Sequence, residues 1–183
     1  MKNAPPKKHA GDQDQRQAFH LLHEFASRLC IRYTGIDDDP EKLMYKGFAR
    51  LFGEWHNLKF KNLSFLKTRL RDILISVCID TEIDRRNFEN DPEDYQSLNE
   101  KPALSLNSLT LSNKEIIDIL RTIPFSFRIV YNMSVIDGFS EREISSLLHL
   151  SVNTIQNRLQ LARKQLHDSL LHVSAKAQAF VQC

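Results

Sequence analysis

Glycine, proline and cysteine are scarce in this chain, and it has no long apolar run. Its 183 residues include five glycines and six prolines, too few for many hairpin turns, so helices are favoured. The three cysteines are odd in number and far apart, which indicates neither a disulfide framework nor a cysteine zinc site. No run approaches the roughly 20 apolar residues of a membrane span, and the first residues lack the apolar stretch of a secretory signal. We expect a cytoplasmic protein without membrane insertion.

An excess of one charge is also missing. The 25 Lys and Arg residues nearly balance the 23 Asp and Glu residues, giving a formal net charge of +2, so charge alone does not indicate a nucleic-acid partner. Hydrophobic residues make up 42% of the chain and charged residues 26%, which suits one or two small domains. Helical apolar spacing over long stretches predicts an all-α fold of two small helical domains.

Composition predicts where these domains begin and end. Residues 1–12 are polar and predicted to be a flexible N-terminal tail. Helical apolar spacing covers 13–90 and returns over 113–172, so we place two domains there and a C-terminal tail at 173–183. In 91–112 the pattern gives way to Asp-Pro and Lys-Pro pairs with scattered Ser and Asn, the composition of a flexible linker.

The first domain is predicted to hold three helices: one from about Gln13 to Tyr33, one beginning at Pro40, and one from about Leu63 to Arg85. Asp39 followed by Pro40 fits an N-cap and a first helical residue better than it fits a metal cluster with the preceding aspartates. The apolar faces expected to form one core are Phe19, Leu22, Ala26, Leu29 and Tyr33 on the first helix, Leu43, Gly47, Phe48, Leu51, Phe52 and Trp55 on the second, and Leu66, Leu70, Ile73, Leu74 and Val77 on the third.

The second domain is predicted to begin with two helices that are separated by Pro124. The second of these helices should stop at Gly138, a suitable left-handed residue at a helix end. The inward residues predicted for the pair are Ile116, Ile119, Leu120 and Ile123, then Phe127, Val130, Met133 and Ile136.

A helix-turn-helix pattern follows Gly138. Ser140 and Glu143 have the spacing of a capping box that starts one helix, and Ser151 is placed to cap the next. About three residues separate the two helices, as in the helix-turn-helix motif. The side chains predicted to face inward are Ile144, Leu147 and Leu148 on the first helix and Val152, Ile155, Leu159, Ala162 and Leu166 on the second.

The opposite face of this last helix is polar, with Asn153, Thr154, Gln156, Asn157, Arg158, Gln160, Arg163 and Lys164 predicted to lie outside. Amides and cations of this kind bind base edges and phosphates, so the face could read a DNA major groove. An ordinary solvated helix face is the alternative.

The stretch from Ile123 to Leu170 resembles the promoter −35-binding domain of extracytoplasmic-function (ECF) sigma factors. The shared features are an Ile-Pro start, an apolar helix ending in Asp-Gly-Phe, the Ser-x-x-Glu-Ile cap, and the run Ser-x-x-Thr-Ile-x-x-Arg-Leu-x-x-Ala-Arg-x-x-Leu. The resemblance implies binding of the −35 element by Ser151, Asn153, Thr154, Gln156, Asn157, Arg158, Arg163 and Lys164. Promoter DNA and core RNA polymerase would be the partners, and an anti-sigma factor is a further candidate.

The N-terminal half, about Phe19 to Arg86, is similar to the domain of this family that binds the polymerase clamp and opens the −10 element. The resemblance implies polymerase binding by Lys42, Leu43, Tyr45, Lys46 and Phe48, and −10 binding by Lys67, Arg69, Arg71, Arg85 and Arg86. Basic residues also interleave with Phe60 and Phe65 here, a composition that can hold single-stranded DNA or be solvated surface. The departures from the family pattern are Lys42, Tyr45 and Lys46 in place of an acidic, glutamine-bearing face, Arg69 and Ser76 in place of Trp and Asn, and His149 in place of the turn glycine.

Motifs for enzymatic chemistry are missing. No phosphate-binding glycine loop or nucleophile elbow occurs, and His20 with His23 lacks a third metal ligand, so we expect no enzyme, no cofactor and no metal site. A sigma factor is the favoured interpretation. A stand-alone helix-turn-helix regulator and a degenerate sigma-like interaction protein are the alternatives.

Overall fold

The computed structural model describes the backbone of residues 8–83 and 111–181, with side chains over 13–81 and 111–173. The described residues form helices and turns, with no strand among them, which confirms the all-α prediction. The helices are α1 (Lys8–Tyr33), α2 (Pro40–Gly53), α3 (Leu63–Ile83), α4 (Asn113–Thr122), α5 (Phe125–Tyr131), α6 (Glu141–Leu148) and α7 (Val152–Val181), with a short 3-10 helix at Trp55–Asn57 and a π-helical turn at Asn132–Ile136. They divide into two compact units, with the boundary after Thr81.

In the first unit, α1, α2 and α3 bury a continuous apolar core. The predicted cap of α2 is confirmed, because the Asp39 carboxylate accepts hydrogen bonds from the amides of Glu41 and Lys42 at 3.0 and 3.3 Å. The fully buried large side chains are Leu22, Leu29 and Tyr33 of α1, Met44 and Leu51 of α2, Trp55, and Leu70 and Leu74 of α3. Burying these side chains is the main term that stabilises the three-helix unit.

Two predicted boundaries of the terminal segments are wrong. Helix α1 begins at Lys8, five residues before the predicted start and inside the predicted N-terminal tail. Helix α7 runs to Val181, through most of the predicted C-terminal tail. A polar composition does not by itself oppose helix formation, and the single glycine of the N-terminal extension, Gly11, is accommodated inside α1, so composition alone misplaced these ends. Residues 1–7, 84–110 and 182–183, including most of the predicted linker, lie outside the described residues.

In the second unit, α4, α5, α6 and α7 surround a separate core. Leu120, Ile123, Phe127, Leu161 and Ala162 form one buried cluster at its centre. Helix α4 begins with a capping box that the sequence reading missed: Ser112 accepts from the amide of Glu115, and the Glu115 carboxylate accepts from the amide of Ser112 at 2.8 Å. These bonds hold the pKa of Glu115 below its usual value.

Arg128 is a structural residue of the second core. It is 2% exposed, and its guanidinium donates to the carbonyl oxygens of Arg121 and Ile123 at 3.0 and 2.6 Å. Those carbonyls belong to the end of α4, where the helix leaves acceptors without intrahelical partners. Arg128 therefore fastens the end of α4 to α5.

Four side chains that were predicted to face inward are exposed: Ile116, Ile136, Leu147 and Val152. Ile136 lies in the π-helical turn, where the wider spacing rotates its side chain out of the 3.6-residue stripe. Val152 is the first residue of α7, and the helix meets the core only from Ile155 onward. The stripes were thus correct at helix centres and wrong at their ends.

None of the helices in the described residues combines the length and the apolar character required to cross a bilayer.

Candidate nucleic-acid interface

The turn between α6 and α7 has the geometry of a helix-turn-helix. The predicted capping box is present, with the Glu143 amide donating to the Ser140 hydroxyl at 3.3 Å and the Ser140 amide donating to the Glu143 carboxylate at 2.8 Å. Helix α6 ends at Leu148, and the following residue His149, which stands in place of the turn glycine, has a left-handed backbone with φ 54° and ψ 37°. The Ser151 hydroxyl then accepts from the amide of Thr154 at 3.0 Å and caps α7. The chain therefore reverses direction over three residues.

Three further hydrogen bonds fix α7 against α6. The Leu150 amide donates to the carbonyl of Ser145 at 3.2 Å, and the Ser145 hydroxyl donates to the carbonyl of Leu150. The Gln156 side-chain amide donates to the Glu141 carboxylate at 2.9 Å, which joins the second turn of α7 to the first turn of α6. The first turns of α7 are consequently held in one orientation with respect to α6.

The polar face of α7 is exposed, as predicted for most of its residues. Ser151, Asn153, Gln156, Asn157, Arg163 and Lys164 are exposed, and so is Gln160. Thr154 is half-buried, and its hydroxyl is 2.8 Å from that of Ser151. The amides lie within the first nine residues of α7, and the two cations follow in its fourth turn. Side-chain amides are groups that can bind base edges, and cations are groups that can bind phosphates.

Arg158 is the exception, and its predicted exposure is wrong. It is 7% exposed and lies in the core side of α7, three residues after Ile155 and four before Ala162. Residues at those spacings share one helix face, so its position follows from the buried stripe itself. Arg158 is therefore not part of the exposed polar face of α7.

Val152 is a surface residue that the sequence reading missed. Its side chain, 36% exposed, stands at the beginning of α7 directly after the Ser151 cap. A residue in the first turn of a helix can escape the buried stripe because the helix end projects from the core. The position of Val152 in the first turn of α7 is the sequence signal that could have predicted its exposure.

In the first unit, α2 presents only part of the predicted polymerase-binding set. Lys42, Tyr45 and Lys46 are exposed, and the Tyr45 ring stacks on that of Phe19 at 6.3 Å. Leu43 and Phe48 are buried, at 6% and 2% exposure, so placing them on a protein-binding surface was wrong. Both belong to the apolar stripe of α2, which packs inside the unit.

The predicted −10-binding cations of α3 are mostly engaged within the protein. Lys67 is exposed, with its ammonium 4.8 Å from the centre of the Phe25 ring. Arg69 binds Glu54 through two hydrogen bonds of 2.6 and 2.7 Å, and Arg71 pairs with Asp72 at 3.0 Å. Arg85 and Arg86 lie outside the described residues.

The Glu54–Arg69 pair links the end of α2 to α3. The hydrogen bond from Arg69 lowers the pKa of Glu54, against the opposing effect of partial burial, and the same bond raises the pKa of Arg69. Both groups therefore stay charged at neutral pH, and part of the positive charge of α3 is neutralised by an internal partner.

An aromatic pair lies near the start of α3. Phe60 is 60% exposed, and its ring contacts that of Phe65 edge-on with centroids 5.8 Å apart. The Lys61 ammonium lies 5.3 Å from the centre of the buried Trp55 ring. An exposed ring flanked by lysines can stack a nucleic-acid base.

Groups of three or more potential metal ligands are absent from the described residues. His20 and His23 instead contact the Phe19 ring edge-on, at centroid distances of 6.0 and 5.2 Å.

Comparison with known proteins agrees with this geometry. A family model described as "Sigma-70, region 4" matches residues 113–166, from α4 into α7. The chain is 27% identical over 179 residues to the ECF RNA polymerase sigma factor SigE of Mycolicibacterium smegmatis, covering 92% of this chain and 68% of that protein.

A solved structure shares the fold. It is the sigma factor RpoE of Bartonella quintana, crystallised with the anti-sigma factor NepR, at a TM-score of 0.50 and 18% identity. The match covers 88% of this chain and 98% of that one. The helix-turn-helix of this chain is therefore similar to region 4 of the sigma-70 family, and the chain is similar over most of its length to an ECF sigma factor.

Proposed function

We propose that this chain binds core RNA polymerase in the cytoplasm and directs it to promoters, with α7 reading the −35 duplex and the first unit contacting the polymerase and the −10 element. The observation that carries the proposal is the exposed polar face of α7, which starts at the Ser151 cap and lies opposite the stripe formed by Ile155, Leu159 and Ala162. A helix of this kind, following a tight turn, enters a major groove with its first turns.

The polymerase contact is assigned to the exposed side of α2. Lys42, Tyr45 and Lys46 stand there together, and an aromatic ring flanked by two cations suits a partner surface with apolar and acidic groups. Leu43 and Phe48 support this surface from inside the core.

The −10 contact is assigned to the region where Phe60 and Lys67 are exposed. Phe60 offers a ring for base stacking, and Lys67 offers a charge for the strand's phosphates. Arg69 and Arg71 contribute less than free arginines would, because each is paired with a carboxylate of the protein.

An anti-sigma protein is proposed as a further partner. The support is the similarity to an ECF sigma factor and the neighbour of similar fold that was solved with the anti-sigma factor NepR. An anti-sigma protein co-expressed with this chain should lower its affinity for core polymerase, and unchanged affinity in a titration would remove that partner from the proposal.

The decisive experiment is transcription from a library of promoter fragments by core polymerase with and without the purified full chain. We expect transcripts with defined start sites only when both proteins are present. Duplex binding without core-dependent transcription would instead indicate a stand-alone regulator. Neither activity would indicate an interaction protein.

A charge-matched pair of variants tests the assignment of α7. Lys164→Gln removes an exposed cation from the α7 face, and Lys114→Gln removes one from α4 in the same unit. We expect the first variant to weaken −35 duplex binding and the second to leave it close to wild type. Loss of one phosphate contact lowers the affinity and reduces the slope of log affinity against log salt by about 1. Equal effects would show that α7 has no special role.

A further inference from the structure

The first nine residues of α7, Val152 to Gln160, expose amides and one apolar side chain but no cation. The exposed residues among them are Val152, Asn153, Gln156, Asn157 and Gln160. The single cation of this stretch, Arg158, is buried. The exposed cations Arg163 and Lys164 come only in the fourth turn, beyond the part of a recognition helix that reaches base edges.

The geometry of these side chains limits what each can bind. Gln156 and Asn157 lie three and four residues after Asn153, and Gln160 lies four and three residues after them, so the four amides share one face of the helix. The amide nitrogen of Gln156 donates to Glu141 at 2.9 Å, which directs its carbonyl oxygen to act as the acceptor for a base. Asn153 and Asn157 are the amides that can make a two-point contact.

The chemistry of the base edges then determines which base pairs these side chains can bind. An amide side chain makes two hydrogen bonds to the N7 and N6 atoms of adenine, whereas guanine is read most often by arginine or lysine. An apolar side chain contacts the C5 methyl group of thymine. The exposed set in the first two turns fits adenine and thymine and lacks the cation that a guanine contact would use.

We propose that the first two turns of α7 select A·T base pairs, with Asn153 and Asn157 contacting adenines, the Gln156 oxygen accepting from an adenine amino group, and Val152 packing on a thymine methyl. This inference rests on the proposed function, because it describes what the helix reads in the −35 duplex. It adds Val152, a residue of the interface that hydrogen-bond chemistry alone would not identify.

A selection experiment tests the inference separately from the proposed function. The full chain, alone and bound to core polymerase, selects from duplexes with a randomised upstream segment at fixed salt. We expect enrichment of a short A·T block under α7. Selection of A·T duplexes without core-dependent transcription would support the inference and overturn the polymerase role. Transcription from sites with invariant G·C pairs in place of this block would overturn the inference alone. Absence of any selected sequence in both arms would overturn both.

Single-atom changes in the selected duplex test each contact. Replacing the thymine by uracil removes only the methyl group and should weaken wild-type binding about threefold to fivefold, as expected for one buried methyl group. The Val152→Ala variant should be insensitive to that replacement. The control Val135→Ala changes an exposed valine outside α7 and should retain full sensitivity.

The adenine contacts are tested in the same way. Replacing adenine by 7-deazaadenine removes the N7 acceptor, and we expect about tenfold weaker binding by the wild type and no further loss in Asn153→Ala or Asn157→Ala at the contacted position. If 7-deazaadenine weakened binding by the same factor in Asn153→Ala, Asn157→Ala and Val152→Ala as in the wild type, the assignment of these residues would be overturned.

Discussion

At Gly47, α2 approaches α3 so closely that one methyl group has no room. A Cβ atom built there would lie 2.2 Å from a terminal carbon of Leu74, whose side chain is fully buried. We expect Gly47→Ala to lower the free energy of unfolding of the first unit by about 1–3 kcal/mol, the usual cost of overpacking. Trp55, the single tryptophan of the chain, is buried in this unit, so its fluorescence during denaturant unfolding measures the change.

Gly53 provides the matched control in the same helix. A Cβ atom there meets nothing within 4 Å. Gly53→Ala should therefore be neutral or stabilise the unit by up to about 1 kcal/mol, since alanine loses less backbone entropy on folding. Equal stability of the two variants would contradict the close approach of α2 and α3.

His149 occupies a left-handed conformation that glycine adopts more easily. A residue with a Cβ atom costs about 1–2 kcal/mol there, and glycine recovers that cost while losing roughly 0.5–1 kcal/mol to the entropy of its unfolded state. We expect His149→Gly to stabilise the second unit by up to about 1 kcal/mol, measured by circular dichroism during unfolding. Gly138→Ala should act in the opposite direction, because Gly138 has φ 77°. A loss of stability in His149→Gly would show that the imidazole makes a compensating contact.

At the scale of elements, the Glu54–Arg69 pair makes the junction of α2 and α3 sensitive to acid. The lowered pKa of Glu54 means that its stabilising contribution is complete above its ordinary pKa of about 4.3 and is lost as pH falls through the lowered value. The side chains are 29% and 44% exposed, so we expect a contribution below about 1 kcal/mol.

A double-mutant cycle measures that contribution. Glu54→Gln, Arg69→Gln and the double variant are compared by Trp55 fluorescence at pH 7 and at a series of lower pH values. We expect a coupling energy at pH 7 that is lost as the pH falls through the lowered pKa of Glu54, because protonated Glu54 no longer pairs with Arg69. Coupling that persists in acid would mean that the two side chains interact through packing and not through charge.

The elements themselves were predictable where a cap or a regular stripe marks them. Asp39, Ser140 and Ser151 have the side chains that caps require, and each one caps its helix in the structure. Exposure at helix ends was not predictable from periodicity, because a stripe says nothing about where the core stops. Val152 was misplaced for that reason, whereas Ile136 was misplaced because of the π-helical turn.

The sequence predicted the candidate site in outline, but the prediction was wrong for one cation, Arg158. The charge of Arg158 suggested exposure, but its spacing from Ile155 and Ala162 places it on the buried side of α7. In the structure Arg158 is buried, as the spacing indicates. The Gln156–Glu141 bond joins residues fifteen positions apart, and no local pattern indicates such a contact. Long-range contacts of this kind are what the three-dimensional structure adds.

At the scale of the whole molecule, the proposed polymerase-binding and DNA-binding surfaces belong to different compact units. Each unit has its own buried core, so substitutions on the surface of one should leave the stability of the other unchanged. Core polymerase binding is assigned to α2 and duplex binding to α7, which makes the two affinities separable by mutation.

Two double variants test this separation: Lys42→Glu with Lys46→Glu in α2, and Arg163→Gln with Lys164→Gln in α7. We expect the first pair to alter the affinity for core polymerase with little change in duplex binding. The second should keep core affinity and reduce the slope of log affinity against log salt by about 2, one for each phosphate contact. Affinity for core is measured by fluorescence anisotropy of labelled protein, and duplex binding by titration at several salt concentrations. If the α2 pair reduced duplex binding as strongly as the α7 pair does, the division of labour between the units would be wrong, because exposed lysines of the first unit would then be holding DNA.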